Sequence, residues 1–128
     1  MALTGYDHIV VRVNDIDEGI ATYRDRLGLT LDRIDESEAL GIKQAFFNMP
    51  NGGFIEIVAP TNADSAVGKA LEGRGEGMHT IALEVDDLAA TCEAMKEGGA
   101  RLIGEGGSQV FVHPKSTHGI LLQLSASQ

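Results

Sequence analysis

Asp7-His8-Ile9-Val10-Val11-Arg12-Val13-Asn14-Asp15-Ile16 returns later in the chain as His79-Thr80-Ile81-Ala82-Leu83-Glu84-Val85-Asp86-Asp87-Leu88. Each block alternates at the period of a strand and then meets an aspartate suited to capping a helix. In the first block Ile9, Val11 and Val13 share one face, and His8, Val10 and Arg12 share the other. Each block is later followed by a closing strand with one polar residue at a matching place: Phe54-Ile55-Glu56-Ile57 after Gly52, and Leu121-Leu122-Gln123-Leu124 after Gly119. The register puts His8, Thr80, Glu56 and Gln123 at equivalent positions of two modules. A pseudo-twofold relation between the modules would bring the four together, as a metal site requires.

Working outward, a helix capped by Asp15 or Asp17 has apolar positions at Ile20, Tyr23 and Leu27, and Gly28 ends it. Strands are expected at 29–34, 42–49 and 54–58, with 35–40 as loop, Pro50-Asn51-Gly52-Gly53 as a turn and Pro60 as a stop. Ser65 is placed to cap a short helix over Val67, Ala70 and Leu71, which the Arg74-Gly75-Glu76-Gly77 stretch cannot continue. The second module gives a strand over 80–85 and a helix over 88–97 stopped by Gly98-Gly99. Strands over 101–103 and 109–112 follow, then a last strand over 120–124. The expected fold is α+β: two tandem βαβββ modules forming facing mixed sheets around a shared cavity, with helices outside. Module one covers about 5–60, the linker about 61–77 and module two about 78–126, all within one domain. A shared concave interior is the natural place for a ligand.

The 128 residues suffice for one hydrophobic core. A formal net charge of −9 argues against nucleic acid or an anionic membrane surface as partner. No stretch has the length of a membrane span, and the N-terminus lacks the pattern of a secretory signal. The single cysteine, Cys92, excludes an internal disulfide and points to a reducing, cytoplasmic setting. Its mid-helix place makes it a small buried hydrophobe.

With these motifs the chain resembles the vicinal oxygen chelate superfamily, which includes glyoxalase I, extradiol dioxygenases, methylmalonyl-CoA epimerase and bleomycin-resistance proteins. The resemblance is nearest to the epimerases. It runs through Asp64-Ser65-Ala66-Val67 with Lys69-Ala70-Leu71-Glu72, through Gly75-Glu76-Gly77-Met78-His79, and through Val112-His113-Pro114-Lys115-Ser116 with Gly119 to Leu124. It implies a small-molecule substrate, a homodimer, and one divalent metal ion (Co, Zn, Mn, Ni or Fe) held by a histidine on each module's first strand and an acid or amide on each last strand. His8, Glu56 and Gln123 match three of those positions. The second histidine is replaced by Thr80, leaving His79 beside it as a secondary candidate. The aligned position of the epimerases' glutamate base is Gln44. Gly104 to Gly107 resembles their substrate-side loop.

These departures keep two classes of function open. In the first, a metal-dependent epimerase or lyase moves a proton next to a carbonyl through a metal-stabilised enolate. Glu56 is then the best remaining carboxylate for the base, with Gln44 lining the wall or orienting a substrate carbonyl. A lactoylglutathione-lyase-like enzyme is a variant of this class. In the second, the chain is a metal-free binding or resistance protein, His8 is a hydrogen-bonded imidazole, and Glu56 is neutralised by Arg12. An extradiol dioxygenase needs a second histidine, which Thr80 denies it. Arg12, Thr80 and Lys115 are the expected substrate-binding residues, with Arg101 as a further cation. His113 and His118 lie in the turn before the last strand, and His113 is expected to be structural.

Overall fold

The computed structural model describes residues 3–50 and 52–126. Asn51, at the heart of the expected Pro50–Gly53 turn, lies outside the described residues. On either side of it, Met49 N–H donates to the Gly53 carbonyl and Gly52 N–H to the Met49 carbonyl. The elements are β1 (Leu3–Arg12), α1 (Ile16–Ile20) running into a π-helical turn (Ala21–Arg26), β2 (Leu31–Ser37), β3 (Ile42–Asn48) and β4 (Phe54–Pro60). Then come α2 (Ala66–Arg74), β5 (Gly77–Val85), α3 (Leu88–Glu97), β6 (Leu102–Ile103), β7 (Gln109–Val112), a 3₁₀ turn (Pro114–Ser116) and β8 (Leu122–Ala126). The fold is mixed α+β with eight strands among the described residues, and the βαβββ order appears twice along the chain.

Compactness divides the chain differently from the repeat. One unit is Ile9–His79; the other joins the residues up to His8 to those from Thr80 onward. In the Ile9–His79 unit the strand order is β2-β3-β4-β1. Val11 and Val13 point to one side with Ile55, Ile57, Ala45 and Phe47, and α1 covers them with Ile16 and Ile20. Tyr23 reaches the same core, its ring centroid 6.0 Å from that of Phe47. The opposite face of the sheet carries Val10, Ile42 and Val58, covered by Val67 and Leu71 of α2. In the other unit the order is β1-β5-β8-β7-β6, with β5 and β8 parallel. There α3 packs through Leu88 and Met95 on Leu83, Val85, Val112, Leu122 and Leu124.

Local signals set the helix starts. Asp15 accepts from the Asp17 and Glu18 N–H groups, Ser65 Oγ from Gly68 N–H at 3.0 Å, and Asp87 from Ala90 N–H at 3.0 Å. Each satisfies a donor that a helix start leaves without a partner. Cys92 is buried, and burial raises its thiol above the ordinary value.

Several expectations need correction. Leu27, expected on the apolar side of the first helix, is exposed, because the π-helical turn widens the repeat and rotates it off that side. Gly28, with φ +80, still ends the helix as expected. The stretch 35–40 is not all loop: β2 runs to Ser37, with Asp35 paired to Gln44 and Glu36 opposite Lys43. Its polar residues fit an edge strand with both faces wet. The last strand starts at Leu122 rather than Ile120. Gly119 N–H donates to the Pro114 carbonyl and Thr117 Oγ1 to the Ile120 carbonyl, so the preceding turn consumes those groups. Arg101 precedes β6, its carbonyl accepting from His113 N–H.

The segment before α2 is packed to the limit. A Cβ on Gly68 would lie 2.8 Å from the Ala63 carbonyl oxygen and 2.9 Å from that of Asn62, whereas one on Gly73 meets nothing within 4 Å. Helix propensity favours alanine at both by about 1 kcal/mol, but overpacking costs about 1–3 kcal/mol. Gly68→Ala should therefore lower the thermal midpoint by a few degrees and Gly73→Ala should raise it. Paired melting curves followed by circular dichroism check the opposite signs.

Candidate functional site

In the Ile9–His79 unit the candidate residues sit on the sheet face turned away from α1. Register places Phe46 opposite Glu56 and Val58 opposite Gln44, so Gln44 and Glu56 are diagonal neighbours on one face. Gln44 Nε2 donates to Glu56 Oε2 at 3.1 Å. The Glu56 carboxylate is buried, with the residue 9% exposed. A buried carboxylate needs polar contacts to offset lost hydration, and the amide supplies one. Phe46 is buried beside it, packs against Phe54 with centroids 5.8 Å apart, and carries the Arg33 guanidinium over its ring at 3.9 Å. An anionic group in an aromatic-edged, water-poor setting can accept a proton or bind a cation.

Arg12 does not take the role of counter-ion to Glu56 that the shared strand face suggested. It is buried, and its Nε donates to the Gly75 carbonyl and its Nη1 to the Met78 carbonyl, both at 2.7 Å. Gly75 caps the end of α2 and Met78 lies near the start of β5, so Arg12 ties β1 to both. Burial, then the nearby Arg74 charge, lowers its pKa from the ordinary value. His79 lies next to this pair, and its Nδ1 is a buried atom without a hydrogen-bond partner. Burial first, then the Arg12 and Arg74 charges, hold its pKa down at about 4, so the ring is neutral at physiological pH. Arg74, which the sequence reading passed over, enters through this cluster; its basic side chain at the last turn of a helix was the available signal. Glu76 accepts from Asn14 N–H at 2.9 Å and fastens the same turn to the end of β1.

The other unit holds His8, Thr80 and Gln123. Thr80 and His8 are buried. Leu83 and Val85 of β5 face α3, so alternation turns Thr80 and Ala82 to the opposite side. Gln123 is paired with Ala82 on β5 and with Phe111 on β7, which puts it on that same side. His8 Nδ1 lies 2.7 Å from Asp7 Oδ2. The sequence reading missed Asp7, because strict alternation sends neighbouring side chains to opposite faces of a strand. Lys115 and Arg101 are exposed and stand with His113 at the 3₁₀ turn, where burial, then those two charges, lower the His113 pKa. His113 Nδ1 accepts from Lys115 N–H at 3.0 Å, the structural part expected of it. His118 takes a left-handed conformation at φ 61 in the loop after this turn. The Gly104–Gly107 loop is tied to α3 by Lys96, whose Nζ lies 2.7 Å from Glu105 and 3.0 Å from Glu93; hydrogen bonds to both push its pKa up to about 12.

Among the described residues no group of three or more His, Cys, Asp or Glu side chains is placed to hold a metal ion. The donors kept at the repeat positions are one imidazole, one carboxylate and one amide, a set that suits a borderline divalent ion. No helix of the described residues is long and apolar enough to cross a membrane.

The description of the glyoxalase/bleomycin resistance protein/dioxygenase superfamily matches residues 7–115. The chain belongs to this superfamily. It is 31% identical over 127 residues to the ethylmalonyl-CoA/methylmalonyl-CoA epimerase of Cereibacter sphaeroides, covering 92% of this chain and 94% of that one. It is 33% identical over 100 residues to the lactoylglutathione lyase of Haemophilus influenzae, covering 78% of this chain and 72% of that one. Among solved structures, the methylmalonyl-CoA epimerase of Mycobacterium tuberculosis superposes with a TM-score of 0.85 at 33% identity, covering 98% of this chain and 89% of that one. Its relatives are therefore isomerases and lyases of the glyoxalase type, and the α+β fold is shared with them.

The depressed His79 pKa has a signed consequence. An unfolded imidazole titrates near 6.5, and the folded one near 4. Between these values the unfolded chain holds a proton that the folded chain does not, so stability falls as pH drops from about 6.5 through about 4. His79→Gln should remove that component and flatten the curve. Urea midpoints measured from pH 7 down to pH 4 for both proteins test it, and an unchanged slope would refute it.

Proposed function

We propose that this protein is an isomerase of the methylmalonyl-CoA epimerase type, acting on an acyl-CoA thioester by moving a proton on the carbon next to a carbonyl. The observation that carries the reading is the buried Glu56 carboxylate fixed by the Gln44 amide; the epimerase relatives support the substrate class. Glu56 accepts the α-proton, and epimerisation follows when the planar enolate is reprotonated on its opposite face. Gln44, standing where the epimerases carry their own base, positions that carboxylate. A base works best with a pKa near the operating pH, and removing one typically costs 10²–10⁴-fold. His8 and Gln123 in one unit and Glu56 in the other are donor types that a divalent ion takes, and such an ion as a Lewis acid would favour the enolate form of the substrate, with Glu56 serving as base where it is not committed to the ion. Thr80 supplies a hydroxyl for hydrogen bonding in place of a ligand nitrogen, and Arg12 holds the end of β1. Lys115 and Arg101 are exposed cations suited to the phosphates of a CoA substrate, and the active form is a homodimer.

The second reading, a metal-free binding protein, is favoured by Thr80 and by Gln44, which each remove a group that the epimerase chemistry uses. Two measurements separate the readings. Metal-loaded protein incubated with methylmalonyl-CoA in D2O should lose the α-proton signal by NMR, and Glu56→Gln should slow the exchange by about 100-fold or more. Absence of exchange in the unsubstituted protein overturns the enzyme reading. Metal analysis should find about one ion per chain, lost in His8→Ala. No metal under any loading condition overturns the metal-dependent version and leaves the metal-free binding reading.

A further inference from the structure

We propose that Asp7 is a positioning residue that fixes the tautomer of His8, holding the ring proton on Nδ1 and presenting the Nε2 lone pair as a donor. The contact is short, 2.7 Å between Asp7 Oδ2 and His8 Nδ1. The His8 side chain is 10% exposed and that of Asp7 38% exposed, so the carboxylate sits at the edge of a buried ring. An ionised carboxylate only accepts, so the nitrogen facing it must carry the hydrogen. Free neutral histidine favours the opposite tautomer, with the hydrogen on Nε2. The pair is not a by-product of strand geometry, since alternation directs neighbouring side chains apart. It also occurs only in the module that keeps its imidazole. At the equivalent places in the second module stand His79 and Thr80, so an imidazole replaces the acid and a hydroxyl replaces the imidazole it would orient. A partner on the far nitrogen of a metal-binding imidazole fixes ring orientation and raises basicity, typically by 10–100-fold in affinity. The metal-binding consequence rests on the proposed function; the tautomer does not.

The test uses full-length, ¹⁵N-labelled protein with its imidazoles neutral. Long-range ¹H–¹⁵N correlation spectra are recorded for the unsubstituted chain, Asp7→Asn and Asp7→Ala, and the His8 signals are identified by their loss in His8→Gln. In the unsubstituted chain and in Asp7→Asn, which keeps an acceptor, Nε2 should appear as the unprotonated nitrogen. In Asp7→Ala the proton should move to Nε2. A His8 ring already protonated on Nε2 in the unsubstituted chain, or unmoved in Asp7→Ala, overturns the proposal. Cobalt(II) titration followed by visible absorption gives the second readout. Asp7→Ala should bind about 10- to 100-fold more weakly, with Asp7→Asn between. Equal affinities overturn the link from Asp7 to metal binding. If the unsubstituted chain binds no cobalt, the metal-dependent function falls and the spectra alone decide the role of Asp7.

Discussion

The buried guanidinium of Arg12 is the constraint on which the Ile9–His79 unit is arranged. A guanidinium cannot shed its proton, so its donors must be met where they lie. The chain meets two of them with the Gly75 carbonyl at the C-cap of α2 and the Met78 carbonyl in β5. A carbonyl at a helix end is partly negative and lacks an intrahelical partner, so the cation and the helix terminus satisfy one another at Gly75. Three features follow. The turn after α2 is held against the end of β1, Glu76 can reach the Asn14 N–H, and His79 is left in a positive surrounding where its protonated form is disfavoured. The position that might have contributed a second ligand nitrogen is thus occupied by a neutral ring whose surroundings are set by a structural ion.

Arg12, turned to those carbonyls, is not the counter-ion of Glu56. Glu56 Oε2 accepts from the neutral Gln44 amide. A neutral donor orients a carboxylate without cancelling its charge, which suits a group that must take up a proton or a cation. The same substitution that removes a base at position 44 therefore serves the carboxylate at position 56.

Much of this was legible in the sequence because the deciding physics is local. Asp15, Ser65 and Asp87 announce their helices through one side-chain oxygen each, and the two faces of β1 follow from alternation alone. The bounds of α3 and β7 match the sequence reading for the same reason. The parts that failed are those set by partners distant in sequence. Whether 35–37 is strand depends on β3 lying beside it, and the start of β8 depends on which carbonyls the preceding turn has used. The π-helical turn that exposes Leu27 leaves no mark on apolar spacing. At the site, the Gln44–Glu56 bond required the register of two strands, and Arg12 could be placed only once the end of α2 was located. Asp7 escaped because the rule that reads strands well is the rule it breaks.

The edge strand β2 has a consequence of another kind. It lies at the end of its sheet order, exposed along nearly its whole length, and among the described residues no further strand pairs with its outer edge. Such an edge is a template on which a second chain can add itself. Here the edge carries Asp32, Arg33, Asp35 and Glu36 around a single apolar Ile34, and Arg33 is bridged to both aspartates. An incoming strand would have to crowd and partly desolvate these charged side chains. The polarity that made this segment look like a loop thus works as a gatekeeper against edge-to-edge association, while the strand's opposite edge stays hydrogen-bonded to β3.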